Sequence, residues 1–202
     1  MKRSLKRKKK YTGVGSRKAP RIICEIATQF ARTKEEIMRS GAAEKMDESF
    51  EEGARNTEIY LPWKGFMGHT TGIYEYTEEQ IVFAEYLVWK VYPVLVQNKT
   101  HMDLFRRDVF QCIGLATCVE DADPSKFLLC WTPDGCVDAA SYTWGETGGT
   151  GVAIMVAREF DIPVFNMRRK DHMKKVLQHL DDHGLKTVKA YKKQLMDMGL
   201  YG

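Results

Sequence analysis

The feature that most constrains this chain is a unit that recurs along it: a short apolar stretch, a turn of small residues, then an amphipathic helical pattern. It occurs at Tyr11-Thr12-Gly13-Val14-Gly15-Ser16-Arg17 ahead of Pro20, and at Met38-Arg39-Ser40-Gly41-Ala42-Ala43. It occurs again at Gly148-Gly149-Thr150-Gly151, between the apolar run Phe127–Trp131 and a helix expected over 152–160. Strands and helices alternating at this spacing form parallel βαβ units with right-handed crossovers. A parallel sheet then gathers its strand-to-helix turns along one edge. Glycine in such turns lets backbone N–H groups approach an anion closely, at the positive end of the following helix dipole.

The pattern predicts strands over 9–14, 36–40, 58–61, 126–131 and 162–166, with helices over 20–35, 44–55, 77–95, 103–115 and 152–160. Two further amphipathic helices are expected over 170–182 and 187–198. The fold class is α/β, a Rossmann-like parallel sheet in the order 3-2-1-4-5 with helices on both faces and a helical insertion, about 63–124, between strands three and four. Residues 1–8 read as a basic flexible tail, 9–168 as the domain, and 169–202 as helices packed on it. The order reverses between strands one and four, which puts the crevice beside Gly13–Arg17 and the segment after Trp131.

Composition narrows the class. The 202 residues, 44% of them hydrophobic, suffice for one domain with a substantial core. No run approaches the ~18 apolar residues of a membrane span, and no secretory leader is evident, so a cytoplasmic location and no membrane partner are expected. Five cysteines without a C-x-x-C spacing, and histidines without a carboxylate motif around His179 and His183, predict reduced thiols, no metal and no required cofactor. The net charge of +4 hides seven cations in residues 1–10, Lys2 to Lys10, which leave −3 on the rest of the chain. That segment reads as a solvated tail or as a nucleic-acid tether.

The ordered set Tyr-Thr-Gly-Val-Gly-Ser-Arg, Arg-Ser-Gly-Ala, Phe-Glu-Glu-Gly-Ala, Leu-Pro-Trp-Lys-Gly-Phe, Trp-Thr-Pro-Asp-Gly and Gly-Gly-Thr-Gly, from Tyr11 to about Met167, resembles phage and bacterial proteins of the SLOG superfamily. That superfamily is similar to the DNA-processing protein A (Smf) and Lonely Guy families. The resemblance implies a Rossmann-like nucleotide binder of a phage-type subgroup, acting in the host cytoplasm if viral. The chain departs from the pattern at Ala42 and Lys45, where relatives carry glycine and where a side chain restricts positive φ. It also lacks the Lonely Guy glutamate in the helix after the glycine run, which disfavours phosphoribohydrolase activity. Asp47 matches the family's acidic position.

The candidate phosphate-binding residues are Gly13, Gly15, Ser16, Arg17, Ser40, Gly41, Gly148, Gly149, Thr150 and Gly151. Arg17 suits a bidentate phosphate contact or a surface ion pair. For a base, ribose or lid the candidates are Trp63, Lys64, Arg107, Trp131, Thr132 and Pro133, with core packing the competing role for Trp131. The expected function is binding of an ADP-ribose-like or related nucleotide-type ligand, in a dimer that covers apolar faces of the extra helices. A nucleotide or N-glycosidic hydrolase using Glu146, Asp134 or Asp47 is the alternative, and single-stranded DNA binding is the second.

Overall fold

The short apolar runs become strands buried on both sides, as a parallel sheet covered by helices requires. A computed structural model of the protein describes residues 9–92 and 98–202. Its strands are β1 (Lys10–Gly15), β2 (Ile37–Ser40), β3 (Thr57–Ile59), β4 (Leu128–Trp131) and β5 (Val164–Asn166). They pair in parallel in the order β3-β2-β1-β4-β5. The helices are α1 (Arg21–Arg32), α2 (Met46–Gly53), α3 (Glu78–Val91), α4 (Lys99–Ile113), α5 (Thr150–Glu159), α6 (Lys170–Asp182) and α7 (Val188–Asp197). The predicted class, strand order and insertion are those of the molecule.

Alternation along β4 separates the two layers. Leu128 and Cys130 pack with α3, α4 and α5, while Leu129 and Trp131 pack with α1, α2, α6 and α7. Gly13 sits in β1 opposite Leu129. A Cβ there would stand 2.5 Å from the Phe50 ring, so this glycine serves the close approach of α2 to the sheet. All five cysteines are unpaired, and three of them, Cys112, Cys130 and Cys136, are buried.

Some boundaries differ from expectation. Helix α4 begins at Lys99, a turn before the expected 103, because the Asn98 side chain accepts the His101 N–H at 2.9 Å. It ends at Gly114, whose φ of +73° breaks the helix. Helix α5 begins at Thr150, so Gly151 lies inside its first turn, with Gly151 N donating to Gly148 O at 3.1 Å. Residues 93–95 of the expected third helix, and Lys2–Lys8 of the basic segment, lie outside the described residues.

Lys10 is not a tail residue. It opens β1 and holds Asp123 at 2.5 Å and Glu58 at 3.0 Å. Both carboxylates also grip Arg39, only 1% exposed, at 2.8 and 2.9 Å, while Arg39 Nη1 donates to Asp123 O at 2.5 Å. Burial alone would raise the Glu58 pKa, but hydrogen bonds from Arg39 and Lys10 outweigh it and hold the carboxyl below its ordinary value. This network ties β1, β2 and β3 to the segment that enters β4.

Candidate functional site

The carboxyl end of β1 and the later part of the loop between β4 and α5 open on a cleft of about 640 Å3, beside the point where the strand order reverses. Its walls come from the turn Gly15–Lys18, from Ala43 and Asp47 after β2, from α4, and from the loop that leads into α5. Of the residues singled out in the sequence, Gly15, Ser16, Arg17, Asp47, Arg107, Glu146, Gly148, Gly149 and Thr150 line this cleft.

The α5 end is built to present bare amides. Gly148 turns the chain with a φ of +63°, and Gly149 caps the helix without a side-chain bond. The first helical bonds are Gly151 N to Gly148 O and Val152 N to Gly149 O. The N–H groups of Gly148, Gly149 and Thr150 therefore have no partner among the described residues. Tyr92, Phe105 and Tyr142 wall this turn, with the Tyr92 and Tyr142 hydroxyls 3.2 Å apart. Across the mouth, Arg17 is exposed and Lys18 Nζ donates to Gly145 O at 3.3 Å. Trp144, 69% exposed, stands at the same rim.

The second turn carries positive φ despite lacking glycine at two positions. Ala42 has a φ of +59° and Lys45 of +67°, contrary to the restriction expected there. Each such residue costs about 1–3 kcal/mol, which surrounding bonds must offset. Ser40 Oγ accepts Ala42 N at 3.1 Å, and Lys45 N donates to Glu48 at 3.3 Å. Asp47 does most of this holding. Its Oδ1 accepts Gly15 N at 3.2 Å, and its Oδ2 accepts Gly41 N at 3.2 Å and Ala43 N at 3.4 Å. One carboxylate thus joins the turns after β1 and β2.

Beneath it lies a cluster the sequence disclosed only in part. Arg107 Nη1 stands 3.5 Å from Asp47 and donates to Gly41 O at 2.6 Å, and its Nε lies 3.2 Å from Asp108 Oδ1. Gln111 satisfies both of its amide atoms when it donates to Asp108 Oδ1 at 3.0 Å and accepts from Gly41 N at 2.5 Å, rather than turning its nitrogen toward Asp47. One guanidinium serves two buried carboxylates. Burial raises Asp47 to about 6 and Asp108 to about 7, with Arg107 opposing both shifts.

Asp108 was not among the candidates read from the sequence, where α4 contributes Arg107 alone. The spacing of Leu104, Asp108 and Gln111 on one side of α4 was the available signal. Since the folded pKa lies above that of an unfolded aspartate, the native chain binds the Asp108 proton more tightly between about pH 4 and pH 7. Stability from this group is then lost as pH rises through that window. Asp108→Asn removes the titration. Its melting temperature relative to the parent is expected to climb between about pH 4 and pH 7 by calorimetry, and a constant difference would contradict the burial.

The other candidates sit elsewhere. Trp131 is buried among the α1 and α6 side chains, on the sheet face away from α4 and α5. Thr132 is buried, with Asn166 Nδ2 at 2.7 Å from its hydroxyl, and Pro133 is half-buried beside it. Trp63 packs edge-on against Phe66, and Lys64 is exposed; neither lines the cleft. Ser40 donates to Glu51, Gly41 packs under Arg107, and Gly151 under Tyr142. Asp134 accepts Cys136 N at 3.2 Å, Thr143 N at 3.1 Å and the Thr147 hydroxyl. Although burial opposes it, these bonds lower the Asp134 pKa.

Among the described residues no helix is long and apolar enough to cross a membrane, and no group of three metal-ligating side chains converges. No family model, curated protein or solved structure matches the chain.

Proposed function

We propose that this protein binds a nucleotide or nucleotide-derived ligand of the ADP-ribose type, as a SLOG-type Rossmann-like protein. The observation that carries this reading is the triad of unpartnered amides at Gly148, Gly149 and Thr150, at a helix N-terminus inside a cleft of nucleotide size. Arg17 supplies a cation on the opposite lip, and Trp144, in place of Trp63 or Trp131, offers an exposed ring for a base. Asp47 and Asp134 spend their oxygens on backbone groups, which favours binding over hydrolysis by either of them. Sequestration of a signalling nucleotide in the cytoplasm, without a required cofactor, fits such a site.

Gly149→Asp tests the cradle. Gly149 has helical φ and ψ, and the nearest atom to an added Cβ is Phe105 Cε1 at 3.7 Å, so the side chain fits and a carboxylate is favourable at a helix N-terminus. The variant is expected to melt no lower than the parent yet to bind ADP-ribose or AMP about tenfold or more weakly in calorimetric titration, the equivalent of 1.4 kcal/mol. Equal affinity would refute the cradle. Mass spectrometry of small molecules released from the parent separates the readings further: an intact nucleotide supports sequestration, and only cleaved products support a hydrolase using Glu146. Salt-sensitive binding of single-stranded DNA would favour the Lys2–Lys10 segment as a tether.

The dimer belongs to the same proposal. Val82, Tyr86 and Trp89 recur at helical spacing on α3, each more than half exposed, beside a groove shared with Phe83. Isologous pairing of two copies covers this stripe on both. Sedimentation is expected to show a dimer for the parent and a monomer for Tyr86→Glu.

A further inference from the structure

Asp47 and Asp108 lie in one cluster, yet they are not equivalent. Both Asp47 oxygens accept backbone N–H groups, whereas Asp108 directs Oδ1 to Arg107 and Gln111 and leaves Oδ2 with no partner among the described residues. Asp108 is only 3% exposed, and it lines the cleft. That oxygen is not sealed from solvent, since the buried side-chain atoms without a partner among the described residues are Tyr11 Oη and Trp131 Nε1, so a cleft ligand that brings a donor takes the place of water at it.

Helix α4 sets the distance to the glycine turn. Phe105 and Asp108 are three residues apart and so share a face, about 4.5 Å apart along the axis. Phe105 is the residue whose ring approaches the Gly149 position. Asp108, Phe105 and the turn Gly148–Thr150 line the same cleft, so an anion on those amides and a hydroxyl at Asp108 can belong to one small ligand.

We infer that Asp108 is the hydroxyl-reading group of the cleft, accepting a hydrogen bond from the sugar of a ribose 5′-phosphate whose phosphate rests on Gly148–Thr150. The inference rests on the nucleotide reading given above and narrows it to ligands with a free ribose hydroxyl. Asp108 is a binding residue here; no proton transfer or bond cleavage is assigned to it. Arg107 and Gln111 fix the orientation of its carboxylate by holding Oδ1.

The test uses the full chain and four probes: AMP, 2′,3′-dideoxy-AMP, inosine monophosphate and inorganic pyrophosphate. At pH 8, above the Asp108 pKa of about 7, parent protein is expected to bind AMP about tenfold or more tightly than dideoxy-AMP, in line with a hydrogen bond to a charged group. Inosine monophosphate should match AMP. In Asp108→Asn the preference for AMP over dideoxy-AMP should fall toward unity while pyrophosphate affinity holds, a selective change that a folding defect would not produce. Equal binding of AMP and dideoxy-AMP by the parent overturns the inference, as does a preference that survives in Asp108→Asn. A preference for AMP over inosine monophosphate without one over dideoxy-AMP overturns it too, assigning Asp108 to the base amine. Pyrophosphate binding that Gly149→Asp abolishes, without any gain from the sugar, leaves the cradle intact and removes the hydroxyl site. Failure of all four probes removes both.

Discussion

Arg39→Ala is expected to destabilise the protein by about 3–5 kcal/mol, the cost of stranding the partners of a buried ion pair. The guanidinium is 1% exposed and bridges Glu58 on one side and Asp123 on the other, with a further bond to Asp123 O. Lys10 contacts the same two carboxylates but is a single point charge at the margin, so it offsets the loss only in part. Arg39→Lys should fall between parent and alanine, because one ammonium cannot reproduce a fork that reaches four acceptors, Cys112 O among them. Urea unfolding at neutral pH measures the difference without the ionic screening that guanidinium chloride would add. A loss below about 1 kcal/mol would mean that the network behaves as a surface ion pair.

Asp47→Ala is the second large effect, expected at about 3–5 kcal/mol and accompanied by loss of ligand binding. The substitution removes the acceptor for Gly15 N, Gly41 N and Ala43 N together, and an unsatisfied buried amide costs about 1–3 kcal/mol. Relief of repulsion between Asp47 and Asp108, and the alternative acceptor that Gln111 offers to Gly41 N, keep the total below the simple sum. Asp47→Asn retains the shape but presents a donor to some of these donors, so it should recover less than half of the loss. The check is paired: unfolding free energy by urea, and nucleotide affinity by calorimetry on the folded fraction. Retained affinity in a stable alanine variant would show that the second turn stands without its clamp.

Much of the architecture was legible because burial on both faces writes strands as plain apolar runs and because small residues mark the turns. The order of the sheet was read as that of a Rossmann-like fold, whose first three strands the alternating units match. At the site, the glycine run before α5 and the turn Gly15–Arg17 were visible for the same reason. The start of α4 was not, since Lys99, Thr100 and His101 carry no apolar period and the helix depends there on Asn98. Nor was Asp108, whose only local trace is its spacing with Leu104 and Gln111 on α4, a helical period that an exposed face shares. Trp131 takes the core role that competed with base stacking in the sequence: it is two residues from Leu129 on a strand, and the period of two sends both side chains to the face opposite α4 and α5.

The bonds that Asp134 makes to Cys136, Thr143 and Thr147 bear on the timing of encounter as well as on shape. They cross-link the long segment between β4 and α5, so the amides of Gly148–Thr150 are held in place before any ligand arrives. On the nucleotide-binding reading, a molecule entering the cleft spends less free energy ordering that loop than it would without these bonds. Residence time, rather than the speed of capture, becomes the quantity through which changes in this site are felt.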